Sequence, residues 1–392
     1  MVWNVGRVVR PFSQEISKGV MSMTRGRVKV GIVGCGNISK AYILTAQSFP
    51  VLEVAAVSDL DMERAKAKAQ EFNIPKACTV EQILKDKDIK LLLNLTVPKA
   101  HAEVALAAIA AGKHVFNEKP LGVTLEEGRK ILAAAKAKKV RVGCAPGTFL
   151  GGGLQTCRKL IDDGAIGQPL GATAFMTCPG HESWHPSPEF YYEVGGGPML
   201  DMGPYYLTAL TQLLGPVKRV TGSAAILKPE RTIGSEPKKG KKIKVETPDH
   251  VTGVLDFASG AVATIVTSFA IWHARLPRIE IYGSEGTLAV PDPNSLRGPV
   301  GIRLAREGDW RDVPLTHSHF DGNKWGIGVA DMAYALRSGR PHRASGENAC
   351  HVLEVMHAFL NASRDGRHHS IETPFARPAP LPRGLAEDEL DD

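Results

Sequence analysis

The chain has 392 residues, 43% of them hydrophobic and 23% charged, the balance of a globular protein with a sizeable core, and its length favours two domains around a shared cleft. The formal charge of +7 would suit a polyanion, but the surplus is local, in the basic first segment and in Lys238 to Lys242 (KKGKK); we read solvated loop and tail charge and expect no nucleic acid. No apolar run approaches a membrane span, and the 6 cysteines lack close pairing motifs, which points to free thiols in a reducing, cytoplasmic compartment and no membrane association.

Residues 1–27 are basic, and Met21 and Met23 stand just before the first strand, so we read a flexible extension rather than an import signal. From Val28 the run VKVGIVGCGNIS is a β-branched strand that breaks into a tight turn and resumes with helical spacing. Gly34 permits the turn, and Gly36 lets bare backbone approach a pyrophosphate. Asn37 and Ile38 open the helix, whose first N–H groups carry partial positive charge. Ser39 takes the third small position of this nucleotide-binding pattern. Leu52 to Val57 makes a second strand closing on Asp59, 23 residues after Gly36, where a carboxylate can accept bonds from adenosine ribose hydroxyls and repel a ribose phosphate. NAD is therefore expected; no arginine immediately follows Asp59, Arg64 being a turn or more into the helix, and NADP stays possible.

A charged helix from Met62 to Phe72 follows, then a buried strand, Leu91 to Val97, ending at Pro98. A regular helix, Ala100 to Ala111, is stopped by Gly112, and Lys113 to Asn117 makes a fourth strand. Thr124 caps a helix through Lys138, and Val140 to Cys144 is the fifth strand. Strands alternating with helices predict a doubly wound parallel sheet, so the fold class is α/β, with a nucleotide domain over residues 28–148. Pro98 and Pro120 fall just past strand ends, the edge where such sheets bind ligands, which places Thr96, Pro98, His101, Glu118 and Lys119 at the cleft.

After Pro146 one more helix, Leu154 to Asp163, leads into longer, alternating strands: Leu170 to Thr177, Val217 to Leu227, His250 to Phe257, Ala261 to Ile271, Arg278 to Tyr282 and Thr287 to Val290. They predict a large, mostly antiparallel open-faced sheet in a second domain, 149–375, with one face on a core and one available to a ligand or a partner subunit. Two helices, about 326–338 and 348–365, pack back on the body, and 376–392 reads as a tail.

TVPKAH, AGKHVFNEKPLG and the glycine turn together resemble the Gfo/Idh/MocA family of NAD(P)-dependent sugar and cyclitol oxidoreductases, over essentially the whole of Val28 to Ile371. The resemblance implies a Rossmann domain followed by an open-faced α/β domain, with Lys119 of Glu118-Lys119-Pro120 catalytic and Glu118 near the nicotinamide ribose. The run Gly195 to Tyr206 resembles the family's glycine-rich signature with aspartate and histidine, but Tyr205 stands where the histidine is common, as in some members of the family. Asp201 and Tyr205, four apart, share a helical face; Tyr205, its phenol lowered by Lys119, becomes the expected base and Asp201 orients substrate hydroxyls.

Between these motifs, His181-Glu182-Ser183-Trp184-His185 matches the zinc-protease string, yet Pro179, Gly180, Pro186 and Pro188 exclude the helix it needs, so no metal is expected. A loop of Trp, His, Phe and Tyr suits a sugar, and Trp184 and His185 are the substrate-binding expectation there. His317, His319, His368 and His369 read as surface histidines, and His250 as a residue that could line the cleft. The whole predicts an NAD-dependent dehydrogenase of a monosaccharide, cyclitol or related polyol, assembled as a homodimer or homotetramer through the second sheet. Two alternatives stand beside it: a transient-oxidation, glycoside-cleaving or epimerising enzyme with tightly held NAD, and a non-catalytic NAD-binding sensor.

Overall fold

A computed structural model of the chain describes residues 26–319 and 324–392; all but the end of the expected basic extension lies outside the described residues. The first half alternates β1 (Val28–Val33), α1 (Ser39–Ser48), β2 (Leu52–Ser58), α2 (Met62–Glu71), β3 (Lys76–Ala77), α3 (Val80–Lys85), β4 (Leu91–Asn94), α4 (His101–Ala110), β5 (His114–Asn117), α5 (Leu125–Lys138) and β6 (Val142–Cys144). The six strands are parallel, in the order β3-β2-β1-β4-β5-β6. Order reverses between β1 and β4, so a crevice opens beyond their carboxyl ends. β4, LLLN, is buried along its whole length, as a strand covered by helices on both faces must be. Local chemistry sets the helix boundaries. Thr124 and Thr79 each form a reciprocal capping box with the residue three positions on, Glu127 and Gln82, and Asp61 caps α2 through the amides of Glu63 and Arg64; a cap of this kind is worth about 1 kcal/mol.

The strand expected to run to Val97 ends at Asn94. Its side-chain oxygen accepts the Thr96 amide (3.3 Å) and hydroxyl (2.7 Å), which turns the chain out of the sheet. The short edge strand β3 carries too little pattern to be read from sequence.

The second half adds α6 (Gly152–Asp162), β7 (Pro169–Thr177), α7 (Gly197–Asp201), α8 (Gly203–Leu214), β8 (Val217–Ala225), β9 (Glu230–Thr232), β10 (Lys242–Lys244), β11 (His250–Phe257), β12 (Val262–Ser268), β13 (Ile279–Gly283), β14 (Gly286–Val290), β15 (Val300–Leu304), β16 (Arg311–Val313), α9 (Ile327–Ser338), α10 (Gly346–Asp365) and β17 (His369–Ser370). The nine-stranded sheet runs β16-β15-β14-β13-β7-β12-β11-β8-β17, antiparallel except for the β7–β12 pair. β9 and β10 form a separate hairpin that sequence periodicity does not reveal. Helix α10 packs on β8 and β11 and also reaches α5, so one helix joins the two sheets; Phe359 lies so close to Gly253 that a Cβ there would stand 2.5 Å from the ring.

Two expectations are corrected at the carboxyl end. Segment 376–392 is no free tail: Leu381 and Leu390 are buried, Asp391 pairs with Arg343 (2.7 Å), and Arg343 and Arg340 both hold the fully buried Asp331 at 2.6 and 2.9 Å. Nor are His317 and His319 at the surface. Both are buried, with Nε2 3.1 Å from the Leu381 carbonyl and 2.8 Å from that of Glu389, because the returning segment covers them. His368 is exposed, while His369 is half-buried beside Asp365 (3.0 Å), and His250 on β11 bonds Ser268 (3.0 Å).

Candidate active site

The glycine turn follows β1. Gly34 has φ +102°, a conformation that side chains rarely adopt, and a Cβ there would lie 2.5 Å from the Leu95 carbonyl of the neighbouring strand end. A Cβ on Gly36 would meet nothing within 4 Å, so that position faces open space. Asp59 closes the crevice on the β2 side: its carboxylate accepts the amides of Cys35 (2.8 Å) and Asp61 (2.9 Å), and Arg64 Nη1 stands 3.5 Å away. Ser39 donates its hydroxyl to the Gly36 carbonyl (2.6 Å), tying turn to helix, with Asn37 and Ile38 between them. The bare turn, open space and rigid carboxylate fit a dinucleotide, with Gly34, Gly36 and Asp59 the residues that would hold it.

Across the switch point, β4 and β5 are stapled at their ends by a buried amide pair that the sequence reading missed: Asn94 Nδ2 donates to Asn117 Oδ1 at 3.0 Å and to the His101 carbonyl at 3.1 Å. His101, expected at the cofactor, is fully buried, and its ring nitrogens lie 2.7 Å from the Pro120 carbonyl and 3.0 Å from that of Thr96. Both ring nitrogens are turned to backbone carbonyls and away from a nucleotide; His101 sits between the loop carrying Thr96 and Pro98 and the loop carrying Lys119, and as a neutral ring its single N–H donates to one of the two carbonyls. Burial lowers its pKa and favours the neutral ring. Glu118 is likewise buried, accepting the Tyr42 hydroxyl at 2.6 Å and the Lys119 amide at 2.8 Å, which fixes the backbone from which Lys119 projects.

Lys119 reaches across to the second domain. Its Nζ donates to Asp201 Oδ1 at 2.6 Å and to the Asp201 carbonyl at 2.7 Å, and it stands 5.4 Å from the centre of the Tyr205 ring. The expected single helix carrying both acidic and phenolic groups is broken: α7 ends at Asp201 and α8 begins at Gly203. Gly197 before it has φ +84° and stands so close to Pro248 that a Cβ would come within 2.7 Å of its carbonyl. At the break, the Tyr205 amide bonds to Met202 rather than to Asp201 one turn back, so the Asp201 carbonyl is left for Lys119.

Burial by itself would raise the Asp201 carboxyl, but Lys119 and His181 overcome it and hold the group down at about 2. The Tyr205 phenol moves the other way. Burial first, then the charges of Glu118 and Asp201, keep it well above the ordinary tyrosine value, so the expected lowering by Lys119 is not what the geometry delivers: the ammonium is committed to Asp201.

The loop 178–192 walls this site with aromatic rings. His181 packs against Tyr191 (4.4 Å), Phe269 (4.6 Å) and Trp184 (5.4 Å), and its Nε2 is 3.7 Å from Asp201 Oδ2. Segment 181–185 is a turn and not a helix, in line with the prolines around it. Of the two substrate-binding expectations there, Trp184 is 58% exposed on the outer side, touching His181 and His185 edge-on, and His185 accepts the Ser187 amide (3.1 Å). The histidine brought to Asp201 is His181, a residue the sequence shows only as the first member of the string. Arg231 of β9 anchors the loop from behind, donating to the Pro179 and Phe269 carbonyls, Glu182 and Asp249 at 2.7–3.0 Å.

A family model described as the oxidoreductase family with NAD-binding Rossmann fold matches residues 28–145, and the model of the GFO/IDH/MocA C-terminal domain matches residues 154–289. The chain belongs to the Gfo/Idh/MocA oxidoreductase family. Among curated relatives, 1,5-anhydro-D-fructose reductase of Ensifer adhaerens is 28% identical over 88% of this chain and 98% of its own length. Trans-1,2-dihydrobenzene-1,2-diol dehydrogenase of Mus musculus is 33% identical over 48% of this chain and 56% of its own. The fold matches that of a levoglucosan dehydrogenase solved with NADH and L-sorbose, with TM-score 0.77, 23% identity, and coverage of 88% of this chain and 99% of that one. The protein is an oxidoreductase with an NAD-binding Rossmann domain. Among the described residues no helix is long and apolar enough to cross a membrane.

Proposed function

We propose that the protein is an NAD-dependent dehydrogenase of uncharged polyols, acting on a hydroxyl or hemiacetal of a monosaccharide, cyclitol or related ring. The observation that carries this reading is the meeting of Lys119, Asp201 and Tyr205 at the carboxyl edge of the parallel sheet, beside the crevice of the glycine turn. The names of the relatives, an anhydrofructose reductase and a dihydrodiol dehydrogenase, point to the same substrate class. Among the described residues, Lys119 is neutralised by Asp201 and Arg231 by Asp249 and Glu182, an arrangement that suits an uncharged substrate.

When bound, NAD supplies the hydride acceptor. Lys119 presents positive charge to the oxygen that becomes alkoxide-like in the transition state, held in place by Oδ1 and the carbonyl oxygen of Asp201 before the substrate arrives. Tyr205 holds a proton at its hydroxyl; it gives that proton to the carbonyl oxygen in the reducing direction and must have lost it before it can take one in the oxidising direction. Asp201 keeps Lys119 in register, and Asp59 carries the preference for NAD. A dimer or tetramer formed through the open sheet belongs to the same proposal.

Incubation of the full chain with NAD and a panel of aldoses, inositols and anhydrosugars should give NADH with at least one of them. Product without net NADH would favour transient oxidation, and no turnover with intact NADH binding would favour a sensor.

A further inference from the structure

The returning carboxyl-terminal segment does more than cover the core. Its Glu387 accepts Lys324 Nζ at Oε2 (2.7 Å) and again at its backbone carbonyl, and accepts the His319 amide at Oε1 (2.8 Å). His319 has φ +65°, the left-handed conformation that residues with a β-carbon rarely adopt, and its ring Nε2 lies 2.8 Å from the Glu389 carbonyl. Strain of this kind persists only where the surroundings over-determine it, and it clusters at functional sites. The same two residues rest on the nucleotide domain: Lys324 Nζ stands 5.8 Å from the centre of the Phe49 ring at the end of α1, and the His319 ring lies nearly parallel to that ring at 6.2 Å.

Trp325 follows Lys324 directly. Its ring is 5.9 Å from that of Tyr205, centre to centre, and at 89° to it, so that the Tyr205 ring has Trp325 as one neighbour and Lys119 Nζ, at 5.4 Å, as another. Gly326 comes next and seats the chain on α1: its amide bonds to Thr45 Oγ1 at 3.4 Å, and a Cβ there would stand 3.1 Å from Thr45 and 3.2 Å from Tyr42. Trp325 is therefore placed by its two neighbours, Gly326 held by α1 and Lys324 held by Glu387. The Lys324 and Glu387 side chains are 14 and 39% exposed. Losing the carboxylate would leave a largely buried ammonium unpaired, and the long stem would swing towards water, drawing on the backbone that carries Trp325.

Resting on the dehydrogenase reading above, we propose that Glu387 and Lys324 are positioning residues for Tyr205: the ion pair seats Trp325 against the tyrosine ring, and so makes the carboxyl-terminal segment part of the catalytic apparatus. Neither residue touches the reacting atoms. They act through Trp325, whose ring limits the positions open to the Tyr205 phenol.

The test compares the full-length wild type with Glu387→Ala, Trp325→Phe, Trp325→Ala and the double variant Glu387→Ala/Trp325→Ala. NADH formation is followed on the polyol that the wild type turns over fastest, well below each thermal midpoint, with NADH dissociation constants measured alongside. Glu387→Ala should lose about tenfold in kcat with NADH binding retained, Trp325→Ala about as much, and the double variant little more; Trp325→Phe, which keeps a ring against Tyr205, should lose less. Additive losses would overturn the proposal, as would a Glu387→Ala variant with a lower midpoint and an unchanged kcat, the mark of a merely structural tie. Acrylamide quenching reads the link without turnover. The Trp325 emission, taken as the difference between a protein and its Trp325→Phe counterpart, should be quenched more readily in Glu387→Ala, and unchanged quenching would also overturn the proposal. Increased quenching with no NADH from any polyol would sink the dehydrogenase reading and leave the seating of Trp325 by Glu387 standing.

Discussion

Lys119 Nζ stands 2.6 Å from Oδ1 of Asp201 and 2.7 Å from the carbonyl oxygen of the same residue, across 82 positions of sequence and from the loop after β5 to the end of α7. The contact depends on the helix break at Met202, which withholds the Tyr205 amide from that carbonyl. Asp201→Asn keeps the shape and removes the charge, and should lower kcat/KM by about 10–100-fold, the worth of one charge-assisted hydrogen bond. Combined with Lys119→Ala it should add little further loss, because the two act as a unit. Additive losses in this double-mutant cycle would contradict the pairing.

In the proposed reaction Tyr205 makes the direction depend on pH. Its phenol is held protonated by burial, with Glu118 and Asp201 adding to the effect. The oxidation rate should therefore go on climbing beyond pH ~10, the ordinary tyrosine value, and the reduction rate should hold until the same region and then fall. Tyr205→Phe should remove that alkaline limb and cost about 10²–10⁴ in kcat. The sign for stability agrees. A folded-state pKa raised above the unfolded one gives stabilisation that is complete below the unfolded value and lost as pH rises through the folded value, so the wild type should be more sensitive to alkaline unfolding than Tyr205→Phe. An oxidation rate that levels off by neutral pH would contradict this account.

Asp59 is fixed by the amides of Cys35 and Asp61 and lies 3.5 Å from Arg64. Asp59→Ala should weaken NADH binding about tenfold or more and release Arg64 to attract a ribose phosphate, shifting the NADPH to NADH affinity ratio upwards. Dissociation constants from fluorescence titration read this without any turnover. An unchanged ratio would remove Asp59 from the cofactor assignment.

The carboxyl-terminal segment is held by the buried charges of Asp331 and Arg343 and the half-buried Asp391. Asp331→Asn leaves Arg343 and Arg340 short of their shared partner and should destabilise the protein by about 3–5 kcal/mol, seen as a lower thermal midpoint. Truncation after Phe375 should do the same, since it uncovers His317 and His319 and removes Leu381 and Leu390 from the core. An unchanged midpoint in both variants would contradict the anchoring.

These residues also show what a sequence can and cannot carry. The alternation from Val28 to Cys144 gave the parallel sheet directly, because strands covered on both faces must be continuously apolar and their helices capped. The segment 376–392 looked like a tail because prolines and acidic residues have no periodicity, while its anchor, Asp391 on Arg343, is a long-range charge pair with no local signal. Lys119, Asp201 and Tyr205 were legible as motifs. Their division of labour was not, since it turns on where α7 breaks and which oxygen Lys119 reaches. The string from His181 to His185 offered two histidines, and only the turn between Pro179 and Pro186 decides that His181 meets Asp201.

The central claim is that Lys119 is the charge that drives hydride transfer from a polyol to NAD. NADH formation by the wild type and by Lys119→Ala, on the polyol that the wild type turns over fastest and with NADH binding measured alongside, tests it most directly. In Lys119→Ala, kcat/KM should fall by about 10²–10⁴ with cofactor binding retained. A Lys119→Ala variant that forms NADH at the wild-type rate would contradict it.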